Sequence, residues 1–217
     1  MKTLRMKLLL LMTAFAIFLL TGSGPANITV MAQQKTESPA NRAQTPAPKA
    51  ETPAQKTETP AAVPAANPAD VASMDAIIAA IYDVISGPAG KKRDWDRMRS
   101  LFVPGARLIP TGPRPGGGMG SRVLTVDEYI TRASAIFDRE GFYEREAARR
   151  TETFGSIAHL FSTYESRHKP DDPQPFQRGI NSIQLMNDGQ RWWIVTIFWQ
   201  GEDKEHPLPQ KYLKSGE

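Results

Sequence analysis

Between Phe176 and Gln200 the chain carries two β-rich runs, Phe-Gln-Arg-Gly-Ile-Asn-Ser-Ile-Gln-Leu-Met and Arg-Trp-Trp-Ile-Val-Thr-Ile-Phe-Trp-Gln, joined by Asn187-Asp188-Gly189-Gln190. Asp-Gly between two such runs is a strong hairpin signal, because a type I′ turn needs positive φ at both central residues. With Asp188-Gly189 as the turn, Leu185 faces Trp192, Ile183 faces Ile194, Asn181 faces Thr196 and Gly179 faces Phe198. The opposite side then carries Gln184/Trp193, Ser182/Val195, Ile180/Ile197 and Arg178/Trp199. Both sides are apolar, so each predicted face needs a cover. We assign Trp192, Ile194, Thr196 and Phe198 to the inner, pocket-forming face, because their partners Leu185, Ile183 and Asn181 are mostly apolar. Trp193, Trp199 and Arg178 fall on the outer face, where aromatic and Arg side chains suit a dimer interface.

Met1–Lys7 is a basic n-region, and Leu8–Leu20 is an apolar run of signal-peptide length, short for a membrane span. Val30-Met31-Ala32 places cleavage after Ala32, with an uncleaved membrane anchor as the alternative. Either way the domain is expected to be exported, to a periplasm or out of the cell. Residues 33–70 are rich in Pro, Ala, Thr, Lys and Glu, with near-repeats at 50–54 and 57–61, and bury too little apolar surface to order themselves. They are predicted to be a disordered linker, leaving 71–217 as the folded domain.

From Val71 the pattern changes. Met74, Ile77, Ile78, Ile81 and Ile85 recur at helical spacing, capped by Asp70 or Ser73 and stopped by Ser86-Gly87-Pro88. A shorter helix is predicted from about Asp94 to Phe102, then a strand over Gly105–Ile109 and a loop over Thr111–Gly120. That Gly-rich loop lacks the Gly-Lys-Ser/Thr of a phosphate cradle. Thr125 and Glu128 form a capping box ahead of Val126, Tyr129, Ile130, Ala133 and Phe137, and Gly141 closes this helix. Strands follow over Phe142–Phe154, which is charged and reads as half exposed, and over Ser156–His168. Helices first and long antiparallel strands afterwards give an α+β class with helices on one face of a curved sheet.

Charge and cysteine usage narrow the function. Lys2, Arg5 and Lys7 belong to the n-region; of 27 basic residues the other 24 stand against 23 acidic ones, a net of +1. No basic stripe remains to suggest nucleic-acid binding. The absence of cysteine excludes disulfides, thiolate metal sites and a cysteine nucleophile. Three dispersed histidines give no metal-ligand spacing, and neither a metal nor a cofactor is expected.

The order helix, helix, short strand, helix and four long strands resembles the nuclear-transport-factor-2-like (NTF2-like) superfamily, SnoaL-like domains included. The resemblance covers about Val71 to Gln200. It is carried by Asp75–Tyr82, Trp95–Phe102, Ile157-Ala158-His159, Ser162-Thr163-Tyr164, Arg178–Ile183 and the closing Asp188-Gly189…Arg191-Trp192-Trp193-Ile194. It implies a cone-shaped antiparallel sheet wrapped around about three N-terminal helices, a pocket inside the cone and a homodimer through the outer sheet face. Enzymes of the superfamily, among them ketosteroid isomerases, scytalone dehydratase and polyketide cyclases, move protons in an apolar pocket. Here that would make His159 the base and Tyr82 the donor, with Asn181 and Thr196 as polar positioning groups. Asn181, Thr196, Phe198 and Trp192 are the pocket-lining candidates, and Glu165 shares the His159 face if the strand alternates. Against chemistry, a lone strand histidine and a stripe-edge tyrosine are more often structural, and no carboxylate sits clearly in the pocket. The first expectation is therefore a pocket that binds a small apolar or amphipathic ligand. A cofactor-independent lyase or isomerase is the alternative, and a dimeric interaction module with a filled pocket is the third.

Overall fold

A computed structural model describes residues 62–216; the signal peptide and most of the linker expected from the sequence lie outside the described residues. The elements run α1 Pro68–Val71, α2 Met74–Ile85, α3 Trp95–Ser100, β1 Phe102–Pro113, β2 Met119–Ser121, α4 Val126–Phe137, β3 Tyr143–Phe154, β4 Ile157–Arg167, β5 Gln177–Asn187 and β6 Trp192–Gly201, then a 3-10 turn Gln210–Tyr212. Packing extends upstream of Val71. Ala66 lies against the core, and buried Asp70 receives a two-pronged ion pair from Arg97 of α3, which also reaches Asp83 of α2.

Local signals explain the helices. Ser73 caps α2 by accepting from Ala76 N–H, and Asp94 does the same for α3 through Arg97 N–H. Both arms of the Thr125–Glu128 capping box are formed, at 2.8 and 3.2 Å. Helix α4 ends at Phe137, earlier than Gly141 suggests. The loop between α2 and α3 is held from within: Arg93, only 7% exposed, donates to the main-chain carbonyls of Ile85, Gly87, Pro88 and Lys91. Its guanidinium also sits 4.9 Å above the Phe137 ring. A Cβ on Gly87 would sit 3.0 Å from that guanidinium, a contact tighter than usual, and the φ of +155° there is one that L side chains rarely adopt.

The six strands form one sheet in the order β2-β1-β6-β5-β4-β3. It is mixed rather than wholly antiparallel, because β1 runs parallel to β6. The meander β3–β6 leaves β6 as its inner edge, and β1 fills it. On the concave side Ile77, Ile78, Ile81 and Ile85 of α2 meet Met98, Leu101 and Phe102, Ile130 and Phe137 of α4, and Leu160, Ile183, Leu185 and Ile194 of the sheet. Each fully buried side chain of this kind contributes about 1.5–3 kcal/mol.

The central hairpin forms, but in another register. Asn187 pairs with Trp192, leaving the four residues Asp188–Arg191 as the loop. The Asp188 carboxylate fixes it by accepting from Gln190 N–H, Arg191 N–H and Trp193 Nε1, so the turn is wider than two residues. Further along, Leu185 faces Ile194 whereas Gln184 faces Thr196, so Val195 is a bulge. One inserted residue moves every later side chain to the other face. Hence Trp192 and Ile194 point inward as expected, but so do Ile197 and Trp199, while Thr196 and the 45% exposed Phe198 point outward. Trp199 packs edge-on to Tyr129 of α4 at 6.2 Å. Thr196 and Phe198 therefore do not line the interior, and Trp199 is not on the outer face.

Candidate functional site

Strand β3 is the last strand of the sheet, and a second bulge at Ala147 governs what it presents. Glu146 faces Tyr164, but Ala148 faces Thr163. Glu144 and Glu146 before the bulge and Arg149 after it all share the concave face with Ser166, Tyr164 and Ser162 of β4. The charged strand that reads as half exposed thus turns two carboxylates and a guanidinium toward α2.

These side chains border a groove of about 830 Å³ between α2 and β3. Ile78, Ala79 and Tyr82 give it an apolar wall, Glu144, Glu146 and Arg149 a polar one, and the segment Arg167–Asp172 closes one end. Arg149 bridges the other, with Nη2 2.5 Å from Asp75 of α2 and Nε 3.3 Å from Glu146.

The floor is a directed hydrogen-bond network. Asn181 Nδ2 donates to Tyr82 OH at 3.0 Å, and Ser162 Oγ donates to Glu146 Oε1 at 2.6 Å. The 2.8 Å contact between Tyr82 OH and Ser162 Oγ must then run from tyrosine to serine, since each hydroxyl has one proton. Glu144 Oε2 accepts from Ser166 Oγ at 2.6 Å, and the Asn181 side chain bonds Glu144 as well. Burial pushes the Glu144 carboxyl up to about 7, even though the Ser166 and Asn181 hydrogen bonds favour its ionised form. Burial likewise raises Glu146, opposed by Ser162 and Arg149. Tyr82, Tyr129 and Tyr164 are raised by burial first and by the Glu144 charge second, so this carboxyl acts on hydroxyls from α2, α4 and β4.

Of the residues singled out in the sequence, the structure brings Tyr82 and Asn181 together. His159 lies on the outer face, with Nε2 2.9 Å from Ser182 Oγ and Nδ1 3.9 Å from the Glu152 carboxylate. It shares neither a face nor a cavity with Tyr82. Glu165 does share the outer face with His159, but six residues further along the strand, where it binds Arg145 and Arg167. Trp192 packs against the core, Thr196 pairs with Gln184 outside, and Asn181 stands opposite Trp199. On the outer face Trp193 lies under the Arg191 guanidinium at 3.6 Å, and Arg178 is paired with Glu202. Glu144, Glu146 and Arg149 escape a sequence reading because only the Ala147 bulge puts all three on one face of β3. The one available signal was the alternation of Ser162, Tyr164 and Ser166 on an otherwise apolar strand face. Among the described residues no group of three or more His, Cys, Asp or Glu could hold a metal, and no helix is long and apolar enough to cross a membrane.

No protein-family model and no curated protein matches the chain. Solved structures do. An NTF-2 like protein of unknown function from Silicibacter pomeroyi DSS-3 is 15% identical over 60% of this chain and 94% of its own, with a TM-score of 0.42. A protein of unknown function with a cystatin-like fold from Nostoc punctiforme PCC 73102 is 11% identical over 58% and 86%, with a TM-score of 0.44. A candidate dehydratase of the NTF2-like family from Streptomyces avermitilis is 13% identical over 60% and 94%, with a TM-score of 0.42. Identities and TM-scores this low carry neither a family nor a chemistry over to this chain. With helices ahead of a β1–β2 arm, and a four-stranded meander that brings β6 beside β1, the chain has an α+β fold built on one mixed sheet.

Proposed function

We propose that the domain is exported and binds a small amphipathic ligand in the α2–β3 groove, without catalysis. The apolar body of the ligand rests on Ile78, Ala79 and Tyr82, and a hydrogen-bond-donating head meets Glu144. The observation that carries this reading is a carboxyl lining the groove and held against its own desolvation by two neutral partners, Ser166 and Asn181, a placement that costs the fold stability. Binding is favoured over proton transfer because the Tyr82 proton is committed to Ser162 and is not free for a developing oxyanion. A lyase or isomerase would have to use Glu144 as its base, in place of His159.

Titration calorimetry of the full chain with 2-phenylethylamine tests this. Saturable binding is expected, stronger at pH 8 than at pH 6 because the carboxylate is the acceptor, and at least tenfold weaker in Glu144→Gln, a loss of about 1.4 kcal/mol. Absence of binding by the wild type to both the amine and 2-phenylethanol would remove the proposal.

We also propose a homodimer through the outer face of β1, β6 and β5, where Ile109, Phe198 and Ile180 lie in the open part of the sheet. Phe198→Glu is expected to give a folded monomer by light scattering. Trp199→Glu, by contrast, places a charge against Tyr129 and is expected to cost roughly 3 kcal/mol in denaturant unfolding. A Trp199→Glu protein as stable as wild type would show that the Val195 bulge does not set the faces of β6.

A further inference from the structure

Residues 210–216 occupy the side of β3 that no strand covers. Gly216 forms a parallel bridge with Arg150, its N–H donates to Arg149 O at 3.0 Å, and Arg149 N–H donates to Ser215 Oγ at 3.2 Å. Upstream, the segment crosses the convex face of β3 and β4. The Tyr212 ring packs on Phe161 with centroids 5.0 Å apart, and Lys211 O accepts from Arg150 Nε at 3.1 Å. Thr163, only 1% exposed on that face, donates its hydroxyl to Tyr212 O. Those contacts make a built seat: a buried hydroxyl, an aromatic pair and an edge bridge all engage one short segment.

Arg149 joins this seat to the groove. Its main chain holds Ser215 and Gly216 on one side of β3, while its side chain crosses to Asp75 and Glu146 on the other. From Glu146 the hydrogen bonds continue through Ser162 to Tyr82. An unbroken polar path therefore runs from the C-terminal segment to the groove floor. It also lies where β3 is weakest, since the Ala147 bulge interrupts the ladder two residues before Arg149.

We propose that residues 210–216 are a strap that sets the Arg149 bridge, so that docking of the segment on β3 controls the ligand affinity of the α2–β3 groove. This rests on the groove being the ligand site. With the strap seated, β3 is paired on both edges at Arg149 and the guanidinium spans to α2. With the strap off, the bulged end of β3 is an unpaired edge and the bridge to Asp75 loses its support.

Hydrogen exchange followed by mass spectrometry, together with amine titration, separates the two ideas. The full chain is compared with Tyr212→Ala and with a chain stopped after Leu208, both first shown to be folded by circular dichroism. Exchange over residues 143–150 is expected to rise about tenfold in both variants, with residues 179–187 unchanged, while 2-phenylethylamine binds about tenfold more weakly. Wild-type exchange over 143–150 in both variants would overturn the strap, whatever the amine does. Faster exchange with unaltered amine affinity would overturn it too, because seat and groove would then be uncoupled. If the wild-type chain binds no amine, the ligand reading falls alone, and exchange at Asp75 and Arg149 still decides whether the strap supports the bridge.

Discussion

A chain carrying Arg93→Met is expected to lose about 3–5 kcal/mol of stability, the largest effect of any single substitution considered for this domain. The arginine is buried, and among the described residues no carboxylate lies within ion-pair distance of it. What solvates its charge is the set of carbonyls of Ile85, Gly87, Pro88 and Lys91, with the face of Phe137 above it. Methionine keeps most of the volume but removes a donor from each of those carbonyls, of which Gly87 O keeps Phe142 N–H and Pro88 O keeps Lys91 N–H. The loop between α2 and α3 then loses the group that closes it, and Phe137 loses its cover. Guanidinium-chloride unfolding would show the change as a lowered midpoint at unchanged slope. A loss under 1 kcal/mol would mean that the loop holds its shape without the arginine.

The second large effect concerns pH. Glu144 keeps its proton in the folded chain up to about pH 7, whereas an unfolded glutamate releases it near the ordinary value of 4.5. Between those limits the folded state binds more protons than the unfolded one, so this group makes stability fall as pH rises from about 4.5 to about 7 and level off above. Glu144→Gln removes that dependence. The variant is expected to gain roughly 2–3 kcal/mol over wild type at pH 8 and little at pH 4.5. Urea unfolding of both proteins at the two pH values reads the difference directly. An equal offset at both would show that the carboxyl is not desolvated in the fold. Taken with the expected loss of amine binding, a more stable but ligand-deaf variant is what a functional carboxylate predicts.

The sequence makes the helices and the order of strands legible because those signals are local. Ser73, Asp94 and the Thr125–Glu128 box mark helix starts within three or four residues, and the isoleucines of α2 declare its buried face. Strand faces are a different matter. Alternation from Trp192 to Gln200 reads cleanly only if no residue is inserted, and Val195 is inserted. That one bulge exchanges the roles of Trp199 and Phe198. The same holds for β3, where alternating Glu and Arg look like a wetted surface until Ala147 and the edge position turn Glu144, Glu146 and Arg149 toward α2. Tyr82 and Asn181 could be picked out as polar groups beside apolar stripes, since the residue types alone reveal them. That Asn181 bonds Tyr82 rather than Thr196 follows from the register across β5 and β6, which the Asp188 loop and Val195 decide together.

The parallel pairing of β1 with β6 also bears on how the chain can reach this structure at all. Phe102 lies beside Ile194, so the contact joins residues 92 positions apart and encloses α4 and most of the meander. Closing so long a loop is slow, because its entropy must be given up before the pairing returns anything. As the chain grows from its N-terminus, the isoleucines of α2 and the first strand wait for the last strand to arrive. During that interval β1 is a strand without its neighbour, rich in apolar side chains and open to any other edge it meets. Pro104, Gly105, Pro110 and Pro113, spaced along β1 itself, interrupt the backbone ladder that a mistaken partner would need.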